Sequence, residues 1–169
     1  MRYNKIRKMD ISNGKGVRVS LFVQGCEFHC EGCFNPETWD FSKGKIFTTE
    51  DMNNIIKLAK KDYIKGLSIL GGEPLHPNNI ESVAMIAEYF KYVYPTKDIW
   101  LWTGYKYEDI IKRTDTHNVL DYIDVLIDGQ FEKDKKNLKL KWAGSENQRC
   151  IDVGRSLREN KIVLKEKML

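Results

Sequence analysis

The chain has 169 residues, of which 31% are charged and 41% hydrophobic, and this composition is typical of one soluble globular domain. No apolar run approaches the roughly 20 residues that a membrane-spanning helix needs, so no association with a membrane is expected. No apolar segment of the signal-peptide type follows the basic start of the chain, which predicts a cytoplasmic protein. We therefore expect residues 1–169 to form a single domain.

The first predicted element is a strand over Val17–Val23, which is rich in β-branched and apolar residues and leads into Gly25 and a cysteine-containing loop. Thr48 followed three residues later by Asp51 is typical of a helix start. Apolar residues then recur at the i, i+3, i+4, i+7 spacing of an amphipathic helix. The sequence thus predicts a strand, a loop and a helix.

The same unit repeats further along the chain. Short apolar strands are predicted at residues 67–70, 99–102 and 123–127, separated by helical stripes at 80–87 and 107–111. Near-continuous apolar strands separated by helices indicate a parallel sheet covered by helices, which is an α/β fold. Residues 150–153 and 162–164 are weaker strand candidates.

Three cysteines, Cys26, Cys30 and Cys33, lie within eight residues in a C-x3-C-x2-C spacing. Thiolates are the usual ligands of iron–sulfur clusters, and four irons on three thiolates leave one iron open to a substrate or cofactor. Structural zinc prefers paired C-x2-C units, so the spacing favours a reactive iron–sulfur site, with zinc or redox-active thiols as alternatives. Cys150 has no neighbouring cysteine and lies in an apolar segment, which predicts an inert buried thiol.

Unusual residues follow each predicted strand. The cysteine loop, Gly71-Gly72-Glu73-Pro74, Thr103-Gly104 and Asp128-Gly129 all come just after a strand. Loops at the carboxyl ends of parallel strands build the active sites of α/β proteins, so we expect these segments to converge, although each alone is also a common turn. In the strand at 99–102, we expect one of Trp100 and Trp102 to face the core and the other the candidate site.

The net charge of +4 is spread along the chain and is densest in one lysine cluster. Its members are Lys133, Lys135, Lys136, Lys139 and Lys141. A solvated face is the favoured interpretation, and an acidic protein partner is the alternative. Nucleic acid is disfavoured because no alternation of basic and aromatic residues accompanies the lysines.

The cysteine loop together with Gly71-Gly72-Glu73-Pro74 resembles the radical S-adenosylmethionine (SAM) enzymes. Within that family the chain is similar to the activating proteins of anaerobic ribonucleoside-triphosphate reductase, which belong to the activases of glycyl-radical enzymes. The resemblance covers most of the chain and implies a small partial (β/α) barrel with a parallel sheet, open on one side. The segments that carry it are Gly25-Cys26, the residues from Cys30 to Pro36, the residues from Gly71 to Pro77, Thr103-Gly104-Tyr105, Asp124 with Asp128-Gly129, and Gly144-Ser145-x-Asn147-Gln148-Arg149.

The resemblance implies a single 4Fe-4S cluster on Cys26, Cys30 and Cys33, with SAM on the open iron. An electron from the reduced cluster splits SAM, and the resulting 5'-deoxyadenosyl radical takes a hydrogen from a glycine of the large reductase subunit. The implied electron donor is a low-potential protein such as a flavodoxin or ferredoxin. Because the cofactors carry this chemistry, no side chain is assigned as a general acid or base.

The resemblance also implies a set of cofactor-binding residues, namely Gly32, Cys33, Phe34, Gly71, Gly72, Glu73, Thr103 and Asp128. Gly32 departs from the wider family, which usually has an aromatic residue before the third cysteine to contact the adenine; here Phe34 follows that cysteine instead. Asn147, Gln148 and Arg149 are expected either to position the ribose or the partner's glycine, or to cap local backbone groups.

Two rival functions remain. Another radical SAM enzyme, such as an activator of pyruvate formate-lyase or an enzyme that modifies a small ring, would share the cysteine loop and Gly71-Gly72-Glu73-Pro74 but not the Gly144 to Arg149 segment. A zinc-binding interaction module would share only the cysteines.

Overall fold

The computed structural model describes residues 1–168, apart from the side chain of His117. Within that part of the chain, no helix combines the length and the apolar character needed to cross a membrane. The strands and α-helices in chain order are β1 (Arg2–Asp10), β2 (Val17–Val23), β3 (Lys45–Ile46), α1 (Thr49–Ala59), β4 (Ile64–Gly71), α2 (Ile80–Val93), β5 (Asp98–Trp102), α3 (Tyr107–Ile110), α4 (His117–Leu120), β6 (Val125–Asp128), β7 (Arg149–Asp152) and α5 (Val153–Glu159).

The strands form one sheet in the order β3-β1-β2-β4-β5-β6-β7. β2, β4, β5 and β6 run parallel to one another, which confirms the α/β class and the parallel arrangement at the centre of the sheet. β1 and β7 are antiparallel to β2 and β6, so the sheet as a whole is mixed. β1 was not predicted, because charged residues interrupt its apolar alternation.

The start of α1 follows the predicted capping pattern. The Asp51 amide donates to Thr48 Oγ1 at 3.3 Å, and the Thr48 amide donates to Asp51 Oδ2 at 2.8 Å. This reciprocal pair satisfies donors that the first helical turn leaves free. The apolar stripe of α1 then buries Met52, Ile55 and Ala59 against the sheet.

The two faces of the sheet differ in what covers them. Leu21, Ile69 and Leu101 point to the side that the helices cover and share one apolar core with them. The opposite side, which we call the open face, has a smaller core containing no helical residue, with Trp100, Val125, Ile127 and Cys150 at its centre. Cys150 is thus buried as predicted.

Trp100 and Trp102 lie on the same side of the sheet, where Trp100 is buried in the open-face core and Trp102 lines a cavity beside the cysteine loop, so the expected division between core and candidate site is present. Their rings stack with centroids 6.0 Å apart, and both contact the open-face core. Residues i and i+2 of a strand point to the same side, so it is Leu101 that enters the core under the helices.

A fully buried arginine stabilises the open face near the amino ends of the parallel strands. Arg18 on β2 donates from Nε to Ser68 Oγ at 2.7 Å and from Nη2 to the Leu67 carbonyl at 3.0 Å. Its Nη1 lies 2.7 Å from Asp98 Oδ1. A buried charge is tolerated only when its donors are paired, and here one guanidinium joins β2, β4 and β5.

We predict that Arg18→Met lowers the free energy of unfolding by about 3 kcal/mol, because it leaves buried acceptors and the Asp98 carboxylate without their cation. Chemical denaturation measures the change. Arg7→Met is the matched control, because Arg7 is exposed and makes a single 3.5 Å ion pair with Asp10. Equal losses for the two variants would contradict the structural role of Arg18.

Candidate metal centre

Loops from four parallel strands meet at the carboxyl edge of the sheet. The Glu73 amide after β4 donates to the Gly25 carbonyl after β2 at 2.7 Å. After β6, the Gly129 amide donates to the Tyr105 carbonyl, which follows β5, at 3.1 Å. The predicted convergence of these segments is therefore present.

The cysteine loop is attached to the residues that follow it. The Gly25 amide donates to the Thr38 carbonyl at 2.7 Å, and the Asn35 amide donates to the Cys33 sulfur at 3.4 Å. Cys26, Cys30 and Cys33 are half-buried free thiols. The loop thus holds its cysteines near the surface, where a metal and a ligand can reach them.

The donor set fits an iron–sulfur cluster, although the thiols are not gathered around one point. Among the side chains that the structure describes, no group of three or more from His, Cys, Asp and Glu is arranged as metal ligands. Burial raises the pKa of Cys26 to about 11, and burial also raises the pKa of Cys30, so these thiols are protonated without a metal. Metal ligands become deprotonated and take up their geometry when the metal binds, so protonated, dispersed thiols suit a site that assembles with its cluster.

Glu73 joins the loops after β4 and β5 from a buried position. Its Oε1 accepts hydrogen bonds from Thr103 Oγ1 at 2.7 Å and the Leu75 amide at 2.9 Å, and its Oε2 accepts from the Gly104 amide at 2.7 Å. Burial raises the pKa of Glu73 to about 7, against the opposing effect of these hydrogen bonds. Two predicted cofactor-binding residues, Glu73 and Thr103, are therefore joined by a hydrogen bond between their side chains.

Gly71 and Gly72 lie where protein backbone approaches closely. A Cβ on Gly71, whose φ is +107°, would lie 2.7 Å from the Val23 amide nitrogen. A Cβ on Gly72 would lie 2.4 Å from the Gly25 carbonyl oxygen. The glycine pair thus lets the β4 loop cross directly beside the start of the cysteine loop.

Asp128, another predicted cofactor-binding residue, is buried in a network of protein groups. It accepts hydrogen bonds from the Tyr107 amide at 2.8 Å and from Arg149 Nε at 3.0 Å. Arg149 also pairs through two nitrogens with the Glu108 carboxylate and lowers the pKa of that group to about 2. The carboxylate of Asp128 therefore joins the end of β6 to α3 and β7.

Gln148 connects two loops through one amide group. Its Oε1 accepts hydrogen bonds from the Gly144 and Ser145 amides at 2.9 and 3.2 Å, and its Nε2 donates to the Gly129 carbonyl at 2.9 Å. Asn147 likewise donates from Nδ2 to a backbone carbonyl, that of Gln130, at 2.7 Å. Asn147 and Gln148 thus bond to backbone groups, as one of the two expectations has it, whereas Arg149 pairs with the carboxylates of Asp128 and Glu108.

The loop that Gln148 and Asn147 hold in place lies against the cysteine loop. The Phe131 and Phe34 rings have centroids 5.2 Å apart, and the Cys30 thiol lies 3.8 Å from Gln130 Oε1. Sequence reasoning missed Phe131 and Gln130, since a single aromatic or amide side chain in a loop gives no periodic signal. The nearby Asp128-Gly129 pair was the one sequence feature that indicated a role for the segment at 130–131.

A cavity of about 400 Å³ on the open face adjoins the cysteine loop. Five aromatic rings line it beside polar side chains such as those of Arg7 and Gln148. The rings are those of Phe22 and Trp102 from the strands, Phe34 from the cysteine loop, and Phe131 and Trp142 from the segments opposite. Phe34 remains 56% exposed. The cavity thus brings aromatic rings and polar groups together next to the third cysteine, a combination suited to an organic cofactor or substrate.

Comparison with known proteins agrees with this chemistry. The family described as "4Fe-4S single cluster domain" matches residues 12–151, a range that includes all four cysteines. The fold and the family match therefore define an iron–sulfur protein of the α/β class.

Curated relatives narrow the class. An anaerobic ribonucleoside-triphosphate reductase-activating protein of Enterobacteria phage T4 is 46% identical over 149 residues, which cover 88% of this chain and 92% of the relative. Proteins of the same name from Haemophilus influenzae and Escherichia coli K12 are 43% and 41% identical over 150 residues, covering 88% of this chain and 96% of each. The chain belongs to the family of anaerobic ribonucleoside-triphosphate reductase-activating proteins.

We predict that Gln148→Ala lowers the free energy of unfolding by about 2 kcal/mol, because one carbonyl and two amides of the loops lose their partner. Hydrogen exchange at the Gly144 and Ser145 amides should become faster than in the wild type. Asn137→Ala is the control, since Asn137 Nδ2 bonds the exposed Glu146 carboxylate instead of the loop at Gly129. Unchanged exchange at Gly144 and Ser145 in Gln148→Ala would exclude a bridging role.

Proposed function

We propose that this protein is a radical SAM enzyme that activates anaerobic ribonucleoside-triphosphate reductase, the activity that its relatives' names describe. The observation that carries the proposal is the position of the cysteine loop, at the carboxyl edge of parallel strands and beside a 400 Å³ aromatic cavity. The family match favours iron over zinc as the metal. We infer that residues 1–169 act as one domain.

The proposed cluster ligands are Cys26, Cys30 and Cys33. They share one loop. The Asn35 amide donates a hydrogen bond to the Cys33 sulfur and would stabilise a thiolate there. Cys150 is a poor candidate for a fourth ligand, because it lies within β7, 1% exposed, among apolar residues of the open-face core. Burial raises its pKa to about 11, which keeps the thiol protonated and inert.

When bound on Cys26, Cys30 and Cys33, a reduced cluster would supply the electron for cleavage of SAM, and the two cofactors together would supply the radical chemistry that removes a hydrogen atom from a glycine of the reductase. The chain's own residues bind and orient the reactants. We propose that the cofactor contacts Gly32, Cys33 and Phe34 together with the Gly71 to Glu73 segment. Thr103 donates a hydrogen bond to Glu73, so these side chains fix the shape of the loops after β4 and β5. The backbone of those loops is then the part that can contact the cofactor.

The aromatic wall of the cavity has a second proposed role. Phe34, Trp102 and Trp142 line the space beside the cysteine loop, and apolar rings there exclude water and easily abstracted hydrogens from a reactive intermediate. Asp128 is proposed to act indirectly, by fixing the end of β6 through Arg149. No side chain is assigned as an acid or base.

The architecture supports entry of a protein segment. Helices cover one side of the sheet, and the core on the open face contains no helical residue, so the cavity can be reached without opening a closed barrel. We propose that the sheet is a partial barrel of the radical SAM type and that the glycine-bearing segment of the large reductase subunit enters from the open face. A flavodoxin or ferredoxin is the proposed electron donor.

The cysteine ligands are tested by replacing each in turn. After anaerobic reconstitution, Cys26→Ala, Cys30→Ala and Cys33→Ala should each lose most of the bound iron and all activation of the reductase, because two thiolates hold a cluster poorly. Cys150→Ala should keep its iron and most of its activity. Loss of the cluster in Cys150→Ala alone would overturn the ligand assignment.

The proposed cofactor is tested by electron paramagnetic resonance of the reduced protein with and without SAM. We expect a cluster signal that changes when SAM is added, since the molecule binds an open iron. A cluster signal indifferent to SAM would mean that the fourth position is already filled and would contradict the proposed chemistry.

A further inference from the structure

We propose that the lysine-rich segment 133–141 is a docking surface for the reductase, and that it binds an acidic protein surface next to the glycine-bearing segment. This inference rests on the proposed function, because it names where the partner of that function binds. The segment contains five lysines and one aspartate, a strongly positive charge for nine residues.

Part of this charge is already paired, and part is available to a partner. Lys133 Nζ lies 2.6 Å from Glu31 Oε1, and Lys135 Nζ lies 2.6 Å from Glu132 Oε2. Among the described residues, Lys136, Lys139 and Lys141 form no ion pair within 4 Å. Three exposed lysines thus present uncompensated charge.

The segment is held in one conformation although its side chains are exposed. The Asn137 amide donates to the Gly144 carbonyl at 3.1 Å, and the Glu146 amide donates to the Lys135 carbonyl at 2.9 Å. The Lys141 amide donates to the Met168 carbonyl at 2.7 Å. Binding of a partner here therefore costs little conformational entropy, because the backbone of the segment is already ordered.

The lysines lie at the rim of the proposed reaction site. Lys136 Nζ is 5.5 Å from the centre of the Phe34 ring, and the Lys133–Glu31 ion pair joins the segment to the cysteine loop. Leu140 from the same segment lines the aromatic cavity. A protein that inserts a segment into this cavity must bring its neighbouring surface over the lysines.

The surface suits a protein better than nucleic acid. Leu138, in the middle of the lysines, is 79% exposed, and Phe34 beside them is 56% exposed. An exposed apolar residue surrounded by charge resembles the centre and rim of a protein interface. The unpaired lysines would steer an acidic partner into register and make its binding sensitive to salt.

The test is a matched pair of charge reversals. One variant carries Lys136→Glu, Lys139→Glu and Lys141→Glu together. The control carries Lys57→Glu, Lys60→Glu and Lys61→Glu, which change the net charge equally but lie at the end of α1, before the amino end of β4. Because β2 and β4 are parallel and the cysteine loop follows the carboxyl end of β2, the control positions lie at the other edge of the sheet.

Binding to the purified large reductase subunit is measured directly at low and high salt, and iron content and SAM cleavage without the reductase are measured in parallel. We expect the segment variant to bind at least about tenfold more weakly than the wild type at low salt and to lose most of the salt dependence. The control should bind within about twofold of the wild type. Iron content and uncoupled cleavage should stay near wild type in both variants.

The outcomes separate the docking surface from the proposed function. Wild-type binding strength in the segment variant, or equal losses in both variants, overturns the docking surface. Absence of SAM cleavage in the wild type contradicts the proposed chemistry, while the binding comparison still decides the surface.

Two further measurements complete the test. If the charge-reversed variant does not fold, a variant with Lys136→Gln, Lys139→Gln and Lys141→Gln replaces it. We expect this variant to lose less binding than the reversed one would. Binding as strong as that of the wild type would overturn the proposal. Tighter binding of the segment to duplex DNA than to the reductase would also overturn it.

Discussion

The close crossing of two backbones, at Gly72 and Gly25, is the contact on which the site depends. A Cβ at Gly72 would lie 2.4 Å from the Gly25 carbonyl oxygen, so no larger residue fits while the β4 loop stays in place. That crossing lets the Glu73 amide donate to the same carbonyl at 2.7 Å. The start of the cysteine loop is thereby fixed to the edge of the sheet.

Polar side chains, of which Glu73 and Asp128 are buried and Gln148 is half-buried, extend this constraint across the remaining loops. Glu73 joins the loops after β4 and β5, Asp128 joins β6 to α3 through the Tyr107 amide, and Gln148 joins Gly129 to the turn at Gly144. Each such group would be costly to bury without its partners, so each favours a single loop arrangement. Order in the loops therefore comes from hydrogen bonds, whereas order in the strands comes from apolar packing.

The division between the two faces of the sheet explains how one small chain combines stability with access. Apolar side chains under the helices form the larger core, and the open face keeps an aromatic cavity of about 400 Å³ beside the third cysteine. Arg18 strengthens the open face at the end of the strands away from that cavity, where its donors satisfy acceptors on β4 and β5. The open face is thus held together by Arg18 at one end and leaves a cavity at the other.

Apolar periodicity and capping are local signals, and from them the parallel centre of the sheet, α1 with its Thr48 cap, α2 and the glycine-containing loops after β2, β4, β5 and β6 could be predicted. The cysteine triplet is visible in the sequence, and the burial of Cys150 was predicted from its apolar neighbours. Three features depend on the folded chain instead: β1 and β7 are antiparallel, Trp100 and Trp102 share a face, and the side chains of Glu73, Asp128, Asn147 and Gln148 form hydrogen bonds with protein groups. A hydrogen bond between residues tens of positions apart depends on how the strands are ordered, and a linear pattern carries no record of that order.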